Sequence, residues 1–412
     1  MPTVEGALNF FLIDDDTELL TVLAELLRGA GHRVTTFSSG LEALAQVREA
    51  APDCLIVDLM MPDMDGFDLC HRLCGDPSMP RLKVIVLSMK AYEFDRQRVF
   101  ALGADGFLTK PIRADLFVEQ VTAILAEHVD LTYWGVRGTL PVPGPSSLIY
   151  GGNTSCVTMR LPDGNYFIFD AGSGIKNLGS HLMQAKHRGF KARIFISHPH
   201  WDHINALPFF APLYVAGNEF EILGASHGDV SMRELISAQM DGVYFPIQIK
   251  AFSARVYFHN LKEETLSFGD TTVRTMLLNH PGNCLGYRVS YHGRSIVYLT
   301  DHELLPRDHA HYNARYMERL AEFVRGCDVL ISDTTYTEEE YAKRHLWGHS
   351  SVTEVARLAH RAGVGALHLF HHDPDQDDTA IAAKLEEARS VLSAMDSDCL
   401  CEAPKEGQHF EV

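Results

Sequence analysis

Between His198 and His203, in the run SHPHWDH, three imidazoles and one carboxylate share six positions. Neutral imidazole and ionised carboxylate are the usual nitrogen and oxygen ligands of divalent transition metals. His198 and His200 stand two apart, so an extended loop aims both at one ion, while Asp202 and His203 turn toward a second ion beside it. Further donors come later in the chain: His280 in LNHPGNCLGYRV, Asp301 in VYLTDHE, Asp333 in LISDTTY, His349 in WGHSS and the pair His371-His372 in HLFHHDP. A separate constellation lies near the N-terminus, where the carboxylates Asp14, Asp15 and Asp58 are joined by the hydroxyl of Ser88 and the ammonium of Lys110.

Both sets follow short apolar runs, which indicates the elements that position them. Phe10-Phe11-Leu12-Ile13, Cys54-Leu55-Ile56-Val57 and Val84-Ile85-Val86-Leu87 read as buried parallel strands, each followed by a polar loop and a helical pattern. Such a doubly wound α/β sheet collects functional groups at the carboxyl ends of its strands, where Asp14, Asp15, Asp58, Ser88 and, after Gly106-Phe107-Leu108-Thr109, Lys110 stand. A helix from Ala114 closes this domain, expected over residues 8–127. The passage through His128 and Val129 has no Gly/Ser or Pro run and predicts a semi-rigid junction. Beyond Leu131, strands are predicted at 157–159, 166–169, 193–196, 272–276, 295–299, 329–331 and 366–370, with a helix over 352–362, giving a mixed α/β domain over 131–412. The segment 217–260 is longer than a simple connection requires and is expected to form a lid, a dimer contact or an extra hairpin. The acidic run 373–378 reads as a solvated loop.

At 412 residues the chain exceeds the size at which one core usually keeps growing, in agreement with two domains. A formal charge of -18 argues against a long nucleic acid as the main ligand, because phosphate backbones require clustered cations. No basic leader and no apolar run of membrane-spanning length is present, so a soluble, cytoplasmic protein without membrane attachment is expected. Eight scattered cysteines without a CxxC pair fit reduced buried thiols.

The strings LIDDDTELL, LIVDLMMPDMDG, VIVLSMK and GFLTKPI resemble the receiver domain of two-component response regulators, a flavodoxin-like (βα)5 fold. The resemblance makes Asp58 the phosphoacceptor, with Asp14, Asp15 and Asp58 holding one Mg²⁺ and Lys110 pairing with the new phosphoryl oxygens. Ser88 would donate a hydrogen bond to that group, Phe107 takes the place of the aromatic switch residue, and the implied partner is a sensor histidine kinase or phosphotransfer protein.

The pattern HxHxDH followed by a later His, Asp and final His resembles the metallo-β-lactamase superfamily, an αββα sandwich. It implies that His198, His200 and His280 hold one ion, Asp202, His203 and the last His another, and that Asp301 bridges them. The last His is read as His371, with His372 as the competitor. The tail from Cys327 to Pro374 resembles ribonuclease Z and related cyclic phosphodiesterases, in which a carboxylate orients a histidine facing the scissile phosphate. Asp333 and His349 would form that dyad, with Asp in place of the Glu of ribonuclease Z, and Asp202 would steer the attacking water as well as ligate. Zn²⁺ is the expected metal, with Mn²⁺ and Fe²⁺ compatible with the same donors. The implied function is a response regulator whose phosphorylation controls a dinuclear phosphodiesterase acting on a small phosphodiester such as a cyclic nucleotide. Hydrolysis of an ester, lactone or thioester, and a non-catalytic binding output, are the alternatives. Asp170, in the Gly-rich string FDAGSGI, is expected to brace the metal loop.

Overall fold

The computed structural model describes residues 7–74, 79, 82–89, 95, 98–100, 102–125, 128–184, 189–243 and 245–412. The expected domain end at Glu127 lies outside these residues. The chain forms two compact units.

The N-terminal unit is one parallel sheet of five strands, β1 (Asn9–Ile13), β2 (Arg33–Phe37), β3 (Cys54–Asp58), β4 (Lys83–Ser88) and β5 (Gly106–Thr109), in the order β2-β1-β3-β4-β5. Every residue of β3 is buried, as expected for a central strand covered on both faces. The helices Thr17–Gly29 and Ala114–Leu125 pack on one face through Leu20, Leu23, Leu27, Phe117, Val121 and Ile124. Gly40–Ala50 and Gly66–Leu73 cover the other face. β2 was not visible as an apolar run because it is an edge strand: within RVTTF only Phe37 is fully buried.

The C-terminal unit contains two sheets of seven strands. The first comprises β6 (Asp130–Gly135), β7 (Cys156–Arg160), β8 (Tyr166–Phe169), β9 (Lys191–Ile196), β10 (Glu219–Ala225) and β11 (Arg255–Leu261). The second comprises β12 (Thr265–Phe268), β13 (Thr271–Leu277), β14 (Leu285–Tyr291), β15 (Arg294–Leu299), β16 (Val329–Asp333), β17 (Ala366–Phe370) and β18 (Leu400–Glu402), and β19 (His409–Glu411) returns to pair with β6. The sheets meet through aromatic side chains. The Phe169 and Tyr298 ring centroids are 5.4 Å apart, those of Phe195 and Tyr287 5.3 Å, and the Tyr287 hydroxyl donates to the Ile196 carbonyl at 2.7 Å.

The helix Ile175–Gln184 packs on the outside of the first sheet, and Ala314–Val324, Val352–Ala362 and Asp378–Ala394 on the outside of the second, completing an αββα sandwich. Val352–Ala362 begins and ends where its sequence pattern predicts. Ser351 caps its N-terminus by accepting from the Glu354 N–H, and Gly363 at φ 64° closes it in the left-handed conformation.

The segment 217–260 is not a hairpin. β10 and β11 are parallel neighbours, so the helix Met232–Gln239 between them makes a βαβ crossover, the connection that parallel strands require. The acidic run is also more than a solvated loop: Asp377 caps the helix Asp378–Ala394, and the Asp378 carboxylate accepts from the Ile149 and Tyr150 N–H groups. All eight cysteines are free thiols. No helix among the described residues is long and apolar enough to cross a membrane.

Candidate metal centre and phosphoacceptor site

In the C-terminal unit the candidate ligands stand just past strand ends. His198 follows β9, His280 follows β13, Asp301 follows β15 and His371 follows β17. His200 is the N-cap of the short helix Trp201–Ile204, which carries Asp202 and His203. The chain must leave each strand sharply, and Asp170, Asp301 and His371 adopt positive φ of 59°, 33° and 60°. For residues with a Cβ such conformations cost on the order of 1 kcal/mol or more each and persist where the surroundings fix them.

His198, His200, His280 and Asp301 bring one donor atom each within 4.8 Å of one another, and Asp202, His203, Asp301 and His371 do the same. Asp301 belongs to both clusters and divides its oxygens between them. Its Oδ2 lies 3.6 Å from His198 Nε2 and 3.8 Å from His280 Nε2, while its Oδ1 lies 3.1 Å from His203 Nε2 and 3.0 Å from His371 Nε2. Asp202 Oδ2 is 3.1 Å from both His203 Nε2 and His371 Nε2.

The donor set fits two cations. His198 Nε2 and His203 Nε2 are buried and make no aligned hydrogen bond, although acidic oxygens lie close by, so each is a ring nitrogen that a cation would satisfy. Burial opposes charge on all of these groups, and the outcome differs among them. Burial and neighbouring imidazoles push His198 well below the usual histidine range. For His203 and His371 the carboxylates Asp202 and Asp301 overcome burial and hold the imidazoles above that range, His371 at about 10. Despite its own burial, Asp301 is held well below the carboxylate range by His371, His203 and His198. Protons on two imidazoles thus balance carboxylates where metal binding would displace them.

Behind the ligands is a layer that orients them. Asp170 Oδ2 accepts from His203 Nδ1 at 2.8 Å, from the Ser197 hydroxyl at 2.9 Å and from the Tyr298 hydroxyl at 2.7 Å, and its Oδ1 accepts from the Ser197 N–H. Orientation of a ligating imidazole by an outer carboxylate fixes its tautomer and raises its basicity. His280 Nδ1 is bonded to the Gly348 carbonyl at 2.9 Å, and the Thr139 N–H donates to Asp202 Oδ2 at 2.7 Å. Gly138 is required next to this point, since a Cβ there would lie 2.2 Å from the His371 ring. His372 faces away from the clusters: it is fully buried, with its ring 6.3 Å from that of Tyr150.

Asp333, His349, Asp301 and His371 form a third convergent group. His349 Nδ1 bonds Asp333 Oδ2 at 2.7 Å, and the ring stacks on His371 at 5.1 Å. Asp333 Oδ1 accepts from the Thr335 N–H and hydroxyl, so both its oxygens are committed. Burial opposes the His349 charge, but Asp333 outweighs it and holds the imidazole above the ordinary histidine value. Glu303 is one of the participants that sequence reasoning missed. Its buried carboxylate accepts from the Tyr341 hydroxyl at 2.8 Å and from the Leu346 and Gly348 N–H groups at 2.7 and 3.0 Å, fixing the loop that carries His349. Its signal was the third residue of DHE, read only for its aspartate.

In the N-terminal unit Asp14, Asp15 and Asp58 converge at the ends of β1 and β3. Lys110 Nζ lies 2.7 Å from Asp14 Oδ2 and 2.5 Å from Asp58 Oδ1. Burial disfavours the Lys110 charge, yet the two carboxylates more than compensate and raise its pKa. Asp58 Oδ2 accepts from the Met60 N–H at 2.8 Å; Ser88, at the end of β4, and Phe107 in β5 are buried.

A five-stranded phosphoacceptor-type sheet and a two-sheet metal sandwich define a regulator joined to a hydrolase-like output. Residues 10–122 match the response regulator receiver domain, and residues 165–372 match the beta-lactamase superfamily domain. The chain belongs to the beta-lactamase superfamily and carries a receiver domain ahead of that fold.

Among curated relatives, the DNA-binding response regulator MtrA of Mycobacterium tuberculosis (strain ATCC 25618 / H37Rv) is 34% identical over 122 residues, 30% of this chain and 52% of MtrA. The chain spans about half or less of the length of the curated relatives it matches: 18% for Protein RcaC of Microchaete diplosiphon and 53% for MtrA of Mycolicibacterium paratuberculosis. Among solved structures, a putative response regulator from Chloroflexus aurantiacus J-10-fl is 34% identical, with 29% of this chain and 99% of that one covered and a TM-score of 0.28. The metallo-beta-lactamase fold protein YhfI from Bacillus subtilis is 18% identical, with 69% of this chain and all of that one covered and a TM-score of 0.49.

Proposed function

We propose that this protein is a response regulator, with a receiver domain over 8–127 and an output domain over 131–412, in which phosphorylation of Asp58 controls a dinuclear metal-dependent phosphodiesterase. The observation that carries the reading is Asp301 presenting one oxygen to each of two ligand clusters, with the Asp333–His349 pair beside them. His198, His200 and His280 would hold one cation, Asp202, His203 and His371 the other, and Asp301 both. Zn²⁺ suits this nitrogen-rich set, and Mn²⁺ or Fe²⁺ could occupy it. Two such cations lower the pKa of bound water and stabilise the oxygens of an in-line phosphoryl displacement.

The chain's own contribution centres on His349. Asp333 holds its Nδ1, so the proton available to substrate is on Nε2, positioned to pass to the departing sugar oxygen, a role typically worth about 10²–10⁴-fold. Asp202 is held by the Thr139 N–H and steers the attacking water. An ester or lactone needs no such donor facing a phosphate, which favours a small phosphodiester. In the receiver, Asp14, Asp15 and Asp58 would hold Mg²⁺. Lys110 and Ser88 would meet the incoming phosphoryl group delivered by a histidine kinase or phosphotransfer protein, and Phe107 would respond.

The test is hydrolysis of cyclic nucleotides, an aryl phosphodiester and an aryl ester by metal-analysed protein, with and without beryllofluoride, in wild type and Asp58→Asn. Metal-dependent phosphodiester turnover that changes with beryllofluoride only when Asp58 is present is the expected result. Ester turnover alone would replace the phosphodiesterase reading, and two bound metals with no turnover would leave a binding output.

A further inference from the structure

Resting on the phosphodiesterase reading, we propose that Trp201, Trp347 and Arg344 form a recognition rim that stacks the base of a nucleotide substrate, making this site selective for nucleoside phosphodiesters over phosphodiesters without a base. Of the three tryptophans in the chain, Trp134 is half-buried and its indole N–H donates to the Thr158 hydroxyl. The other two are 82% and 62% exposed. Tryptophan is ordinarily well buried, and these two are neighbours in the chain of site residues. Trp201 lies between His200 and Asp202, and Trp347 is two residues before His349.

Both flanks converge on one ring. His200 Nδ1 is 3.3 Å from His280 Nε2, and the Gly348 carbonyl bonds His280 Nδ1. The two indoles therefore arise from chain segments that meet at His280, beside His200, the exposed member of its cluster.

Trp347 is also tied to the site from the other side. The Arg344 guanidinium lies 6.0 Å from the Trp347 ring and 4.9 Å from that of Tyr336, whose centroid is 6.0 Å from that of His349. Among the described residues no carboxylate pairs with Arg344, although the chain carries a charge of -18. A half-buried planar cation beside exposed indoles matches a ligand that is both aromatic and anionic. The platform is also held in advance. Leu346 sits at φ 66°, and its N–H and that of Gly348 bond the buried Glu303 carboxylate, so Trp347 lies in a loop fixed on both sides.

Stacking of a base on an aromatic side chain is tolerant of base identity, and its loss lowers affinity about 10-fold or more. The experiment is a titration of full-length Zn²⁺-loaded protein with adenosine monophosphate and with ribose 5-phosphate, followed by tryptophan fluorescence and by calorimetry. Adenosine monophosphate is expected to quench the emission and to bind about 10-fold or more tightly than ribose 5-phosphate. Trp201→Ala, Trp347→Ala and Arg344→Ala should each weaken it, Trp347→Phe should retain most of the affinity, and ribose 5-phosphate should bind the two tryptophan-to-alanine variants as it binds wild type. Equal affinity for the two ligands in wild type and variants overturns the base rim while leaving the phosphodiesterase reading standing. Binding of neither, with no phosphodiester turned over, overturns both.

Discussion

The two charged sites solve the same problem in opposite ways. In the receiver, close-set carboxylates are compensated by Lys110, a cation on the chain that contacts Asp14 and Asp58 directly. In the output domain the compensation falls on His203 and His371, which are themselves candidate ligands. A lysine belongs to the chain and is always present. Protonated imidazoles must give up their protons when metal enters, and His198 Nε2 and His203 Nε2 make no aligned hydrogen bond. The first site is therefore balanced by a side chain outside its carboxylate set, whereas the second is balanced from within its own candidate ligands.

The largest effect should come from breaking the second arrangement. Asp301→Asn removes the group shared by both clusters and should leave about one metal or fewer per chain, with hydrolysis falling beyond the ~100-fold expected from losing a ligand's outer partner. Chelation of wild type should lower the melting temperature of the output transition, in line with the ~4 kcal/mol contributed by a ligand at a thousand times its Kd. With Mg²⁺ kept in excess over the chelator the receiver transition should be unaffected, and a shift in both on calorimetry would undo the contrast.

Next, His349→Ala should lower kcat by about 10²–10⁴-fold with metal content unchanged, measured together by single-turnover kinetics and metal analysis. Metal loss in this variant would place His349 among the ligands. Smaller is Asp170→Asn: it keeps the shape but weakens acceptance from His203, Ser197 and Tyr298, so metal affinity should fall about 10–100-fold. A chelator competition would measure it.

The smallest effect sharpens the comparison with a lysine that lacks an acid in contact. Lys384 is fully buried, donates to the Thr335 carbonyl and Gln376 Oε1, and is pushed down to about 7 by burial. Its folded pKa is below the unfolded value, so between about pH 7 and 10.5 the unfolded chain binds more protons and stability rises with pH. Below pH 7 the burial penalty is fully present. Lys384→Met should flatten this rise in the pH dependence of the melting temperature; an unchanged slope would assign it to another group.

What was legible in the sequence was whatever the chain places close together. HPHWDH fixes four donors by local spacing, and strands such as β8 and β17 end where their apolar runs end. Asp170 could be found because its glycine neighbours mark a turn. Glu303 and Tyr298 were silent because their roles arise from partners far along the chain. Spacing also could not choose between His371 and His372. Positive φ at His371 turns its ring into the cluster and leaves His372 in the core. The crossover between β10 and β11 was misread because strands on a sheet flank expose alternate residues, as in the pattern eieieeB of β11, and resemble loop sequence.

The pairing of β6 with β19 joins Thr132 to His409, a separation of 277 residues. During translation at about 5–20 residues per second, the ribosome needs roughly 15–55 s to travel between them. The receiver sheet, all of whose strands lie before Lys110, has its full set of partners during that interval. The sandwich lacks the strand that covers its β6 edge until the last residues of β19 emerge. The receiver sheet is thus complete while the sandwich still waits for its last strand.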